Sequence, residues 1–204
     1  MGENRKIEII MATLKLASQK GLGAVSMNMI AEEVGIKKPS LYNHFKSKDE
    51  IVGEMYTFLR DRAQKETNTQ MNWGIFEDKS AYEILSCLVN NYIALSSEPN
   101  MLMFYKVIYS ERTISSEAAK ILVTETEKMI AATEQIFMLL ENKKLLQFAN
   151  LEICATAFAL TIHSLMDYSL DKSFANHQKP IINTNLINDY IANFCNEHKL
   201  KEIK

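Results

Sequence analysis

At 204 residues, 47% of them apolar, the chain can bury a core of its own, which excludes wholesale disorder. The formal net charge of −2 gives no overall nucleic-acid signature, although 1–50 hold eight Lys/Arg against six Asp/Glu and 51–204 hold fifteen against nineteen. Three scattered cysteines, Cys87, Cys154 and Cys195, exclude a disulfide framework and suit a reducing cytosol.

All six glycines lie at or before Gly74, and beyond it only Pro99 and Pro180 break the pattern, so the chain reads as all-α. A first helix is expected over 5–20, where Ile7, Ile10, Met11, Leu14 and Ala17 form one stripe that ends at Gly21 and Gly23. The alternating N-terminus has no signal-peptide core.

Next comes a tight two-helix unit. Ser26 is a good N-cap, Ile30, Ala31 and Val34 recur at helical spacing, and Gly35 suits a left-handed helix end. The next helix is expected to begin no earlier than Pro39, because proline disfavours the α region at Lys38 and is itself favoured as a first helical residue. Leu41 and Phe45 give that helix an apolar side, so Lys37, Lys38, Ser40, Asn43 and His44 face elsewhere. This is what a helix-turn-helix requires: one helix for packing and a second with basic, polar residues at its start. Ser47 and Glu50 form a capping box for a further helix and set Lys48 in its first turn. A cation gains nothing from a helix N-terminus, so Lys48 is either a solvated lysine or one that shares a phosphate with the free amides.

The runs Ile30-Ala31-Glu32-Glu33-Val34-Gly35, Leu41-Tyr42-Asn43-His44-Phe45 and Lys46-Ser47-Lys48 resemble the N-terminal domain of TetR-family transcriptional regulators. The rest of the chain matches that family only in length and helical character. The resemblance implies a three-helix DNA-binding domain over 1–50 and a larger helical ligand-binding and dimerisation domain over 51–204. On this reading Lys38, Pro39 and Tyr42 approach base edges, with Asn28 nearby. Ser26, Ser40, Asn43, His44 and Lys48 hold phosphates, and Lys37 belongs to the same surface.

Further along, the fourth helix carries Ile51, Met55, Phe58 and Leu59 on one side and is expected to continue to about residue 67. A polar loop over 68–79 should tuck Trp73 and Phe76 inward. Ser80 and Glu83 form a second capping box and open a fifth helix, and Pro99 starts a sixth. Ser115 and Ser116 cap a seventh that reaches about residue 142, Asn150 caps an eighth to about 172, and a ninth begins after 183. The most apolar stretch, 151–170, is interrupted by Glu152, His163 and Asp167, which argues against a membrane span.

The eighth helix is apolar on two sides: Ile153, Ala157 and Leu160 on one, Cys154, Phe158, Thr161, Leu165 and Tyr168 on the other. The ninth repeats this with Leu186, Ile187, Tyr190, Ile191 and Phe194. A helix apolar all round is buried all round, so either these helices are central in a monomer or two copies pair them in a four-helix bundle. The expected homodimer seam is Phe158, Thr161, Leu165, Tyr168, Tyr190, Ile191 and Phe194.

No HxxxH or HExxH motif is present, and Cys195 with His198 is no zinc site, so no metal and no cofactor is expected. No GxSxG or phosphate loop frames a catalytic residue, and an enzyme reading has nothing to stand on. Phe58, Met101, Phe104, Tyr105, Tyr109, Met129 and Phe137 are core packing one by one, and as a set they suit an adaptable apolar pocket. Two functions remain. One is a cytoplasmic, homodimeric regulator that binds double-stranded operator DNA and is released by a small apolar or amphipathic effector, with co-repressor or activator variants. The other is a helical ligand carrier whose helix-turn-helix is only packing. The polar residues gathered over 37–48 favour the first.

Overall fold

A computed structural model describes residues 2–67 and 73–200. Among the described residues there are nine α-helices and no strand: α1 Gly2–Lys20, α2 Met27–Val34, α3 Lys38–Tyr42, α4 Lys48–Thr67, α5 Ala81–Ser96, α6 Pro99–Glu111, α7 Ser116–Asn142, α8 Leu151–Ala175 and α9 Thr184–His198. The chain packs as two compact units, one of 1–71 and 98–122, the other of 72–97 and 123–204, so α7 starts in the first and continues in the second.

In the first unit α1 packs against α2, α4 and α6. Its core joins Ile9, Leu14, Ile30, Leu41, Phe45, Ile51, Met55, Leu59, Phe104 and Ile108. The caps explain the helix lengths. Ser26 Oγ accepts from the Met29 N–H at 3.3 Å, and Gly35, at φ 73° and ψ 33°, turns the chain left-handed so that Ile36 N–H closes on Ala31 O at 2.9 Å. Helix α3 begins at Lys38, one residue before the expected start, with Lys37 as its cap and Ser40 N–H donating to Lys37 O at 2.9 Å. Pro39 then lies in the first turn, where its missing N–H would have had no intrahelical acceptor. The box at α4 is also shifted. Ser47 Oγ accepts from Glu50 N–H at 3.1 Å, but the Glu50 carboxylate reaches back to the Lys46 N–H rather than that of Ser47.

In the second unit α9 packs against α5 and α8. The core centres on Phe137, whose ring stacks on Phe148 at 4.5 Å and meets Phe158 and Phe194 at 5.4 Å each. Ser80 and Glu83 complete their box, with Glu83 N–H donating to Ser80 Oγ and Ser80 N–H to the Glu83 carboxylate. The Ser80 backbone N–H, then the Lys79 and Ser80 side chains, hold the Glu83 carboxyl down at about 2. Phe76 is buried as expected, while the Trp73 side chain and residues 68–72 lie outside the described residues. Helix α8, 25 residues with an 18-residue window of mean hydropathy 1.2, could cross a membrane by length and composition alone, a test that the core helix of a soluble protein also passes. Its inward face, Ala155, Phe158, Ala159, Ile162 and Met166, packs in the core of this unit.

Candidate nucleic-acid interface

Leu41 and Phe45 are the hinge of the candidate site. With 0% and 1% exposure they fix α3 against the first unit's core, and everything between them and Lys37 is turned outward. Lys37, Lys38, Pro39, Ser40 and Asn43 are exposed, His44 is half-buried, and the Tyr42 ring is 45% exposed. Ser26 and Asn28 are exposed at the start of α2. Exposed side chains are thus brought together on a short helix whose orientation is set by the left-handed Gly35. An exposed tyrosine beside two lysines offers a flat apolar ring and a hydroxyl at a cationic surface, the combination that base edges and phosphates can use.

Four contacts buttress this surface, and only one of them, the i,i+3 pair Arg5–Glu8, is local in the sequence. Lys15 Nζ meets Glu33 Oε1 at 2.7 Å and ties α1 to α2. Lys6 lies over the Phe45 ring at 5.1 Å, and Arg5 pairs with Glu8 at 2.6 Å, so both basic residues at the start of α1 already have partners. Lys48 is half-buried, and its Nζ donates to Leu22 O at 3.1 Å, which pins the turn over Leu22–Ala24 to the first turn of α4. No local sequence pattern gives a contact between residues 26 apart. An ammonium has three N–H donors, so this bond leaves capacity for a phosphate.

Residues 9–55 match the model of the bacterial regulatory proteins of the tetR family. Residues 9–55 thus carry a TetR-family N-terminal domain. Members of the family are helix-turn-helix transcriptional regulators and not enzymes. Solved structures extend the likeness of fold to the whole chain. A Mesorhizobium loti MAFF303099 protein provisionally described as a TetR-family transcriptional regulator aligns over 98% of this chain and 99% of its own, with a TM-score of 0.71 and 19% identity. A TetR transcription regulator from Haloarcula marismortui ATCC 43049 aligns over 96% and 98%, at 0.69 and 12%. A Saccharomonospora viridis protein, provisionally described as a transcriptional regulator and solved in complex with choline, aligns over 96% and 97%, at 0.68 and 16%. Among curated proteins none matches the chain.

The two other residue sets fall differently from the TetR-family expectation. Of the apolar pocket set, Met101 and Phe104 are buried in the first unit's core, with Phe58 and Tyr105 packed half-buried against it. Tyr109 is half-buried, with Arg112 over its ring at 4.9 Å. Met129 and Phe137 belong to the second unit, and Phe137, at 0% exposure, is the centre of its aromatic core rather than a lining residue. A surface groove of about 470 Å³ in the first unit is lined instead by residues such as Met11, Lys15, Glu33 and Met103.

Of the expected dimer seam, Phe158, Ile191 and Phe194 are core residues of one subunit, at 3%, 0% and 6% exposure. Thr161, Leu165 and Tyr190 are half-buried, and the Tyr190 ring lies 5.6 Å from that of Phe158 within the subunit. Tyr168 alone of that set is outward, at 54%, and continues an exposed stripe with Ile153 and Leu160. The side of α8 assigned to the seam is the inward one, because packing against α9 consumes it.

Proposed function

We propose that this protein is a homodimeric repressor that binds a palindromic operator through α3 and is released by a small apolar or amphipathic effector. The observation that carries the reading is the first turn of α3: Lys37, Lys38, Pro39 and Ser40 are exposed while Leu41 and Phe45 are wholly inward. Residues 1–50 serve DNA binding, and 51–204 serve ligand binding and dimerisation in the cytoplasm. Lys38, Pro39, Tyr42 and Asn28 read base edges, and Ser26, Lys37, Ser40, Asn43, His44 and Lys48 hold the backbone. A two-fold dimer sets its recognition helices about 34–36 Å apart, one turn of DNA, or a multiple of it. The exposed apolar stripe of α8 supports pairing between copies, and the choline bound by the Saccharomonospora viridis protein supports a small-molecule effector.

Helix α4 couples the two activities, since it begins at Lys48 and carries Phe58 in its third turn. A ligand that tilts it changes the spacing of the two recognition helices. Moving such an equilibrium from 1:99 to 99:1 takes about 5.5 kcal/mol, which two ligands per dimer supply at under about 3 kcal/mol each. Binding linkage then requires operator to weaken ligand binding by the same factor. The test is operator selection from random DNA, and then ligand titration with and without the selected site. Weaker ligand binding on the operator is expected. Equal affinities refute induction, and tighter binding makes the ligand a co-repressor.

A further inference from the structure

Among the described residues, the core of the first unit contains one polar group that its surroundings do not satisfy. Tyr56, on α4, is 4% exposed, and its hydroxyl is buried without a hydrogen-bond partner among the described residues. It belongs to the same apolar cluster as Met55, Leu59, Phe104, Ile108 and Ile121, and the Phe104 ring meets it edge-on at 6.5 Å between centroids. A phenol in such a place is disfavoured against phenylalanine, because its hydroxyl loses water and gains nothing. Phenylalanine would fill nearly the same space, so the hydroxyl calls for a partner that comes and goes.

We infer that Tyr56 is the polar contact of the effector, donating a hydrogen bond to a neutral acceptor oxygen, such as an amide or ketone carbonyl, on an otherwise apolar molecule. The inference rests on the proposed ligand-responsive function and adds a residue and a ligand class to it. Three further observations support it. Phe58, Met103 and Tyr105 pack half-buried against the same cluster, and flexible or aromatic side chains of this kind can rearrange around a guest. Burial first, then the nearby Glu111 and Glu117 carboxylates, push the Tyr56 phenol up to about 12, so it stays a donor and those carboxylates repel an anionic ligand. Finally, Tyr56 lies eight residues beyond Lys48 on one helix, about 12 Å along its axis at 1.5 Å per residue, so a guest bound there presses directly on the element that starts at the DNA-binding surface.

The test uses the full chain and its Tyr56→Phe variant with three probes of equal chain length: octanamide, octanoate and octyltrimethylammonium. Binding is read by calorimetry without DNA, and operator release by gel shift in parallel. The free variant is expected to melt about 2–6 °C higher, because an unsatisfied hydroxyl has gone. Wild-type protein should bind octanamide at least about ten-fold tighter than either charged probe, and Tyr56→Phe should lose about three- to ten-fold of that affinity, the worth of one hydrogen bond. A lower melting point for the variant, which is the mark of a structural water only, overturns the inference. So does equal octanamide binding by both proteins, a preference for either charged probe, or no binding of octanamide. Tyr56-dependent binding without operator release keeps this site and refutes the regulatory reading. Operator release by octanamide with equal sensitivity in both proteins does the reverse.

Discussion

Lys48→Ala separates the bond that this side chain makes within the subunit from the phosphate contact proposed for it. The Nζ already donates to Leu22 O at 3.1 Å, so the lysine has a structural use whether or not DNA is present. Losing that bond from a half-exposed site costs about 1 kcal/mol, a fall of about 2–4 °C in melting temperature for a chain of this size. If Lys48 also neutralises a phosphate, each subunit releases one counterion fewer, and the slope of log affinity against log salt falls by about 0.9 per half-site. Between 50 and 200 mM salt that is about 3.5-fold per contact and about 12-fold for a dimer, spread evenly over all sequences. Fluorescence anisotropy at four salt concentrations, on operator and on scrambled DNA, measures the slope, and Lys48→Arg serves as the charge-preserving control. A Lys48→Ala protein that melts lower but keeps the wild-type slope would show that the lysine only pins the turn, and the docking would be wrong.

Gly35→Ala should lose about 1–2 kcal/mol in thermal melts, purely from left-handed strain at φ 73°, since a new Cβ meets nothing within 4 Å; Gly23→Ala, equally open and not at positive φ, should change little. Leu160→Glu should convert the dimer to a folded monomer in sedimentation, because Leu160 is 43% exposed in one subunit; an intact dimer would move the interface off the outer stripe of α8. Glu83, held at about 2 against an ordinary 4.5, contributes stability above pH 4.5 that is lost as pH falls towards 2. Urea midpoints of wild type and Glu83→Gln should therefore converge across that window, and a constant gap would show that the carboxylate charge is irrelevant to the cap.

Local rules are most decisive where a residue's chemistry leaves one conformation open. Ser26, Ser80, Asn150 and Asn183 each cap the helix they precede, and Gly35 is left-handed where a helix must stop. These are bonds over two or three residues, and periodicity supplies the rest of each helix. Leu41 and Phe45 illustrate the gain for function: once both are inward, the direction of Lys37, Lys38, Ser40 and Asn43 comes from helix geometry alone. Contacts across long separations leave no such trace. Lys15 with Glu33 and Lys48 with Leu22 depend on how α1, α2 and α4 come together, and lysine sequences look the same whether solvated or bonded.

Helix α8 shows the limit most sharply, and for a physical reason. Both of its sides are apolar, so hydrophobic periodicity cannot choose which one faces its own subunit. The choice is made by shape. On the inner side Phe158 fits edge-on against Phe194 at 4.8 Å and Phe137 at 5.4 Å, and the small residues Ala155 and Ala159 let the neighbouring backbone approach. The outer stripe of Ile153, Leu160 and Tyr168 has no equivalent small residues buried beside it, and 65%, 43% and 54% of these side chains remain exposed. Three large apolar groups at helical spacing on one surface are more than scattered exposure accounts for, and burying each fully would contribute about 1.5–3 kcal/mol. The apolar surplus on which the proposed dimer rests therefore lies one face round the helix from Phe158 and Leu165.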